Sequence, residues 1–356
     1  MKNSRERRGW WGAVACLGAL LGCDVPTDLP VWDQQWTLPV EDAVVEVEEF
    51  LPTGVSADPA QDVFLVDIDP LTLEETLGDL CGACQTGFAD PKPAFQATFQ
   101  DFVELPADVR EADVVLGRVS VVLRNGFTFD PIRPGGGATG ILTFSLYDGS
   151  AAGRLLDRVV LDGAGEGLPP GTDRTETLEF TGTVGNRILT EVVLASPEGS
   201  GTNLDVTDRL ALDVGVADFQ VQSALVEVAG RHLTMEDSEL DVADMDETVV
   251  DKIRSGSLAM EIQNPWGVAA EYEVAIHAQG SVVRKEFSIP SGATSSAQVQ
   301  FTGAELQSFL GREGVVLRGT GVVDQGAAPV SLRPGEELVM DNELTVVIRI
   351  GEEGEG

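Results

Sequence analysis

The chain has 356 residues, with 59 Asp and Glu against 23 Lys and Arg, a formal net charge of −36. Such a surplus opposes binding to nucleic acid or an anionic membrane face, and it favours solubility, cations or a basic partner. The apolar fraction of 43% belongs to a chain that can build cores, so disorder is not the expectation.

Residues 1–8, "MKNSRERR", form a positive start, and residues 10–22, "WWGAVACLGALLG", an uncharged apolar run. The run is shorter than the ~20 apolar residues of a spanning helix. Its length suits a cleaved signal peptide. It ends in Leu20-Leu21-Gly22-Cys23, followed by the polar "DVPTD". This ending resembles the lipobox of bacterial lipoproteins. The resemblance implies cleavage before Cys23 and a diacylglycerol on its thiol, with Asp24 leaving inner or outer membrane open. Cys16 is a rival that would leave an apolar run of only a few residues. Acyl chains contribute about 0.8 kcal/mol per buried CH₂, so a multiply acylated Cys23 anchors firmly. The expected address is therefore the cell envelope, with the bulk of the chain in the periplasm or outside the cell.

Residues 23–43 read as a Pro- and Asp-containing tether carrying Trp32 and Trp36. Strand-like runs follow at 43–51 and 62–69. Thr72 and Glu75 stand at capping-box spacing, which predicts a short helix at about 73–80. Cys81 and Cys84 then form "CGAC". In an oxidising compartment this pair reads as a small-loop disulfide. A redox role would need a βαβ setting, and zinc would need two more ligands. Neither is in sight, because the only histidines are His232 and His277.

From residue 95 onward, strand-length runs with two-residue alternation are separated by turns rich in Gly, Pro and Asp. They include "FQATFQDFVEL", "DVVLGRVSVVL", "ILTFSLYD" and "ILTEVVLAS". The chain then repeats itself. "LRNGF" (123–127) matches "IQNPW" (262–266), and "PPGTDRTETLEFTG" (169–182) aligns without gaps to "PSGATSSAQVQFTG" (290–303). Two helices are expected in the second copy, at 246–256 and at 302–314, the latter with Thr302 and Glu305 as a capping box.

The fold expected is mainly β, with two tandem antiparallel Ig-like β-sandwiches and a few short helices. The divisions are 1–22 signal peptide, 23–93 tether and small subdomain with the cysteine pair, 94–217 and 218–351 sandwich repeats, and 352–356 acidic tail. "SGSLAMEIQNPWGVAAEYEVAI" (255–276), with its Asn264-Pro265 corner between strands, resembles the LEA14/WHy class of β-sandwich domains. In the first copy Asn125 is kept and Gly126 replaces the proline. The whole chain is similar to uncharacterised bacterial lipoproteins built from such repeats. That resemblance implies a fold and an address, with no catalytic residues.

No catalytic constellation stands out. Two histidines leave few options for a nucleophilic triad, and "RPGGGATG" (133–140) lacks the Lys-Ser/Thr of a phosphate loop. The densest acidic stretch, 235–251, offers Asp237, Glu239, Asp241, Asp244 and Asp246 as candidate calcium ligands, alongside Glu236, Glu247 and Asp251. It lacks the turn glycine of an EF-hand. The competing interpretation is a solvated linker whose carboxylates suit a helix start. Trp266 and Phe127, at matched corners, are expected as core plugs rather than sugar platforms. The chain is thus expected to be a non-catalytic binding or structural module of the envelope, anchored through Cys23, with an envelope protein or polymer as partner. An enzyme or ligand carrier acting on such polymers, and a calcium-stabilised adhesin, are the alternatives.

Overall fold

A computed structural model describes residues 31–351. The lipobox, Cys23 and the acidic tail lie outside the described residues. The opening segment contains β1 (Trp32–Pro39), β2 (Ala43–Glu46), a 3-10 turn (Val47–Phe50), β3 (Val55–Asp58), β4 (Val63–Val66), β5 (Leu71–Thr76), α1 (Leu77–Leu80) and β6 (Gly87–Ala89). Next come β7 (Phe95–Glu104), β8 (Val109–Asn125), β9 (Ile141–Asp148), β10 (Leu155–Asp162), β11 (Asp173–Gly185), β12 (Arg187–Ser196), β13 (Thr202–Leu204) and β14 (Arg209–Val226). The last third holds β15 (His232–Leu240), α2 (Glu247–Val250), β16 (Ile253–Gln263), β17 (Ala270–Ala278), β18 (Ser281–Ile289) and β19 (Thr294–Thr302). It closes with α3 (Gly303–Gln307), β20 (Val315–Val323), β21 (Val330–Leu332) and β22 (Glu337–Ile350).

The chain is mainly β and builds two sandwiches. In the first, the sheet β10-β9-β12-β7 packs on β11-β8-β14. In the second, β18-β17-β20-β15 packs on β19-β16-β22. The two orders agree strand for strand. Alternation sets the cores: Val119, Val121 and Leu123 of β8 are fully buried while Ser120 and Val122 between them are half-buried, and in β22 Leu338 and Met340 are buried on either side of the half-buried Val339. Period-two placement of β-branched and aliphatic residues is what a half-buried strand requires.

The opening segment is divided between the sandwiches. β1 and β2 pair with β22, with Trp32 opposite Ile350 and Ala43 opposite Met340. β5 and β4 pair with β14, and β3 extends β4. The first sandwich is thus inserted between two early strands of the second and the rest of it. Residues 32–39, read from sequence as tether, are an edge strand. Its hydrogen-bonding partner, β22, lies at the far end of the described chain, beyond the reach of local pattern.

Three helix expectations shrink. Leu71–Thr76 is strand, because Leu71 and Leu73 pair along β14. Thr76, not Thr72, caps the four-residue α1 by accepting from the Asp79 N–H. The helix expected over 246–256 ends at Val250, and Ile253 opens β16 instead. The helix expected over 302–314 spans only Gly303–Gln307, with the Thr302/Glu305 capping box in place.

The sandwiches stack head to tail. β21, from the second half, adds to the end of β14 in the first, Val330 opposite Val226. Leu51, Pro52, Phe64, Leu105, Val109 and Val226 close over the joint, leaving a void of only about 10 Å³. Arg110–Glu227 and Arg231–Asp108 ion pairs flank it. One continuous core runs through both halves.

Candidate functional site

The chain path gives the molecule a base and a tip. At the base, the first and last described strands lie side by side through the Trp32–Ile350 pair. At the tip, β6 and β13 form a two-stranded ribbon beyond the first sandwich.

The tip is built around Asn125, buried at the end of β8. Its side-chain amide donates to the Phe129 and Leu168 carbonyls at 3.0 and 2.8 Å. Its oxygen accepts from the Phe127 N–H at 2.9 Å. This fixes a corner in which Phe127 and Phe129 stack with centroids 5.3 Å apart. Over Phe129 sits Lys92, fully buried between two prolines of the chain. Its Nζ donates to the Pro93 carbonyl at 2.6 Å and to Ser196 Oγ at 3.2 Å. It lies 5.0 Å from the centroids of both Phe95 and Phe129. Desolvation lowers its pKa from 10.5 to about 8. Cys81 and Cys84, bonded to each other, close the turn after α1. Phe88 projects from the ribbon and is 70% exposed. The glycine-rich connection packs here too: a Cβ on Gly135 would lie 2.7 Å from Ser200 Oγ. It is a strand connection beside the ribbon, not a phosphate loop.

The second sandwich repeats the corner. Asn264 is buried at the end of β16; its amide donates to the Val268 carbonyl at 2.8 Å and its oxygen accepts from the Gly267 N–H at 3.0 Å. Trp266 stands where Phe127 stands in the first copy. It is buried against Phe50, centroids 4.3 Å apart, and its Nε1 donates to Glu336. Trp266 thus plugs the joint between sandwiches.

The acidic stretch is not gathered into a cage. Asp237 pairs with Arg318 at 2.9 Å. Asp246 caps α2 through the Thr248 N–H at 2.8 Å, and its bonds with Thr248 lower its pKa. Glu239 and Asp241 line an open groove of about 560 Å³ together with Glu41, Arg312 and Glu313. Among the described residues no three His, Cys, Asp or Glu side chains converge as metal ligands, so the five candidates, Asp244 included, are not brought to one point. A second open groove of about 510 Å³ runs past His232, Glu271, Glu273 and Glu286 on the second sandwich.

The shifted titrating groups are scattered, and each has a local cause. Glu46 is raised first by Glu48, then by desolvation and by Glu236, Glu337 and Glu49. Desolvation, then Asp205, raises Asp208. Tyr272 is raised by burial, with Glu49 adding; its hydroxyl has no partner among the described residues, and its ring fills the space a Cβ on Gly321 would occupy. Lys285 and Thr302 lower Glu305 at the start of α3. Lys92 and the Glu46 group carried no sequence signal, save that lysine occurs only at positions 2, 92, 252 and 285.

Comparison with known proteins found low-level likenesses only. A scan against protein-family models found no match, and a search of curated proteins found none. Among solved structures, a candidate secreted protein from Parabacteroides distasonis aligns over 90% of this chain and 100% of its own, at 11% identity and a TM-score of 0.33. The tandem CBM22 domains of Paenibacillus barcinonensis Xyn10C align over 86% and 98%, at 11% identity and a TM-score of 0.18. A Cowpea mosaic virus particle chain aligns over 88% and 89%, at 9% identity and a TM-score of 0.19. None of these three reaches a TM-score of 0.5.

Proposed function

We propose that this chain is an exported, non-catalytic envelope protein, anchored by lipid on Cys23, that displays its first sandwich as a binding module. The observation that carries the proposal is the Trp32–Ile350 pairing. It puts the entry of the chain at the base of the second sandwich and the inserted first sandwich at the opposite end. An anchor a few residues before Trp32 then holds the base at the membrane and turns the tip outward. Among the described residues, no helix is long and apolar enough to span a bilayer. At the tip, the exposed Phe88 on a ribbon beside the disulfide-closed turn has the character of an interface anchor.

The test is Cys23→Ala in cells fed a clickable palmitate analogue. Label and membrane retention are both lost if the proposal holds. Label retained on the variant overturns the anchor. A photo-crosslinking residue in place of Phe88 should then yield adducts with envelope components, while one at Leu65 should not. Equal yields at the two positions would remove the tip from the proposal.

A further inference from the structure

The strand that enters the fold carries two of the chain's five tryptophans, and both face water. Trp32 is 51% exposed and Trp36 37%. Side chains alternate along a strand, so the two rings share one side of β1, about 13 Å apart at ~3.3 Å per residue. Trp36 lies opposite Val346 and Trp32 opposite Ile350. Residues directly opposite in an antiparallel pair share a face. The tryptophans therefore extend the core-facing side of the sheet outward, past the edge of the buried region. By contrast Trp266 is buried in the joint. Among the described residues, no ring contact involves Trp32 or Trp36.

The length of chain ahead of β1 says what can cover it. Trp32 is nine residues from Cys23, a span of at most about 30 Å even fully extended. We infer that Trp32 and Trp36 are a second membrane contact, seated at the headgroup level of a zwitterionic bilayer. This rests on the lipid at Cys23 proposed above. Indole rings favour that region, because one face of the group is apolar and the N–H stays wet. A short tether holds the rings at a millimolar effective concentration, so a weak intrinsic affinity suffices. The acidic surplus, −36 over the full sequence and more negative once the basic residues before Cys23 are removed, disfavours anionic lipid. Asp33, on the other side of β1, is paired with Arg349 at 3.1 Å and turned away from the rings. With two attachments the base cannot pivot freely, and the tip is held at a defined height.

The test uses the full chain expressed in bacterial membranes and purified in detergent. Mass spectrometry of the amino-terminal peptide reports the lipid on Cys23 independently. Wild type and Trp32→Phe/Trp36→Phe are reconstituted into phosphatidylcholine vesicles containing lipid brominated at shallow acyl positions. Wild-type tryptophan emission should be quenched several-fold more than that of the variant, whose remaining mature tryptophan is Trp266. The variant should also transfer between vesicles several-fold faster. Equal quenching with Cys23 lipidated overturns the inference and leaves the anchor standing. If Cys23 bears no lipid, the anchor fails, and the same vesicles added to the unlipidated chain decide the rest. Selective quenching of wild type there still supports the ring contact, and equal quenching overturns it. A dimer in detergent that the double variant converts to monomer assigns the rings to a second copy and also overturns the membrane contact.

Discussion

The two Asn corners occupy the same place in their sandwiches but are covered by different parts of the chain. Asn264 and Trp266 lie under the first sandwich, with Phe50 from the connecting turn against the indole. Asn125, Phe127 and Phe129 have no third sandwich above them. Instead the residues before β7 fold back, and Lys92 covers Phe129. A sandwich end is a break in backbone pairing as well as an apolar opening, so it needs both hydrogen-bond partners and a lid. The asparagine supplies the partners in each copy. The lid is whatever lies next along the stack. Where that is another domain, a tryptophan suffices. At the free end a disulfide-closed turn, a ribbon and a buried amine take its place.

Removing each plug tests this most severely. Trp266→Ala should cost about 3–5 kcal/mol, the usual toll of truncating a large buried aromatic, and should split the calorimetric transition in two, since the joint is lost. Phe127→Ala should cost a similar amount and leave one transition. A single transition in both variants would mean that the joint does not depend on Trp266.

The hydrogen bonds come next. Asn125→Ala orphans two carbonyls and one N–H, while Asn264→Ala orphans one carbonyl, because the Gly267 N–H also donates to the Asn264 backbone carbonyl at 3.1 Å. At ~1–3 kcal/mol per buried unsatisfied group, partly recovered by relaxation, the first should cost about 3 kcal/mol and the second about 1. Denaturant titration at constant m-value would show the order; a reversed order would contradict the accounting at the two corners.

The buried amine gives a pH signature to the tip alone. Lys92 has a folded-state pKa of about 8 against an ordinary 10.5. Below pH 8 both states hold the proton and the burial cost stands in full. Between pH 8 and 10.5 the folded amine releases its proton while the unfolded one keeps it, so stability rises with pH, by up to about 3 kcal/mol. Lys92→Met should abolish that rise and raise Tm at pH 7. An unchanged pH slope in the variant would assign the titration elsewhere.

The smallest effect lies near the joint. Glu46 is raised chiefly by Glu48, with Glu236, Glu337 and Glu49 adding. A carboxylate raised in the folded state gains stability as pH falls through its folded pKa. Glu46→Gln should therefore stabilise slightly at pH 7, and the gain should vanish in high salt or at low pH.

Much of this architecture was legible because alternation is local. Val119-Ser120-Val121-Val122-Leu123 announces one buried face wherever it pairs. The Thr302/Glu305 box marked a helix start correctly, although the helix ends at Gln307. The strand β5 was misread because Thr72 and Glu75 imitate a cap, and pairing of Leu71 and Leu73 with β14 overrides that local preference. β1 was invisible as strand: Gln34, Gln35 and Thr37 offer no buried alternation, and the pairing that defines it is with the far end of the chain. Of the site residues, the corner asparagines could be found because they recur. Lys92 and the exposed pair Trp32 and Trp36 take their meaning from contacts made at long range.

The nested path also sets a schedule. As the polypeptide leaves its synthesis machinery from the front, β1 and β2 emerge first and must wait for β22, the final strand. Until then the inserted sandwich can complete itself, while the one nearest the entry stays open-sided with an unpaired edge. Long-range closure of this kind is slow and exposes strand edges meanwhile. A chain stopped short of residue 337 would carry a finished tip on an unfinished base, with β1 and β2 left without the strand they pair with.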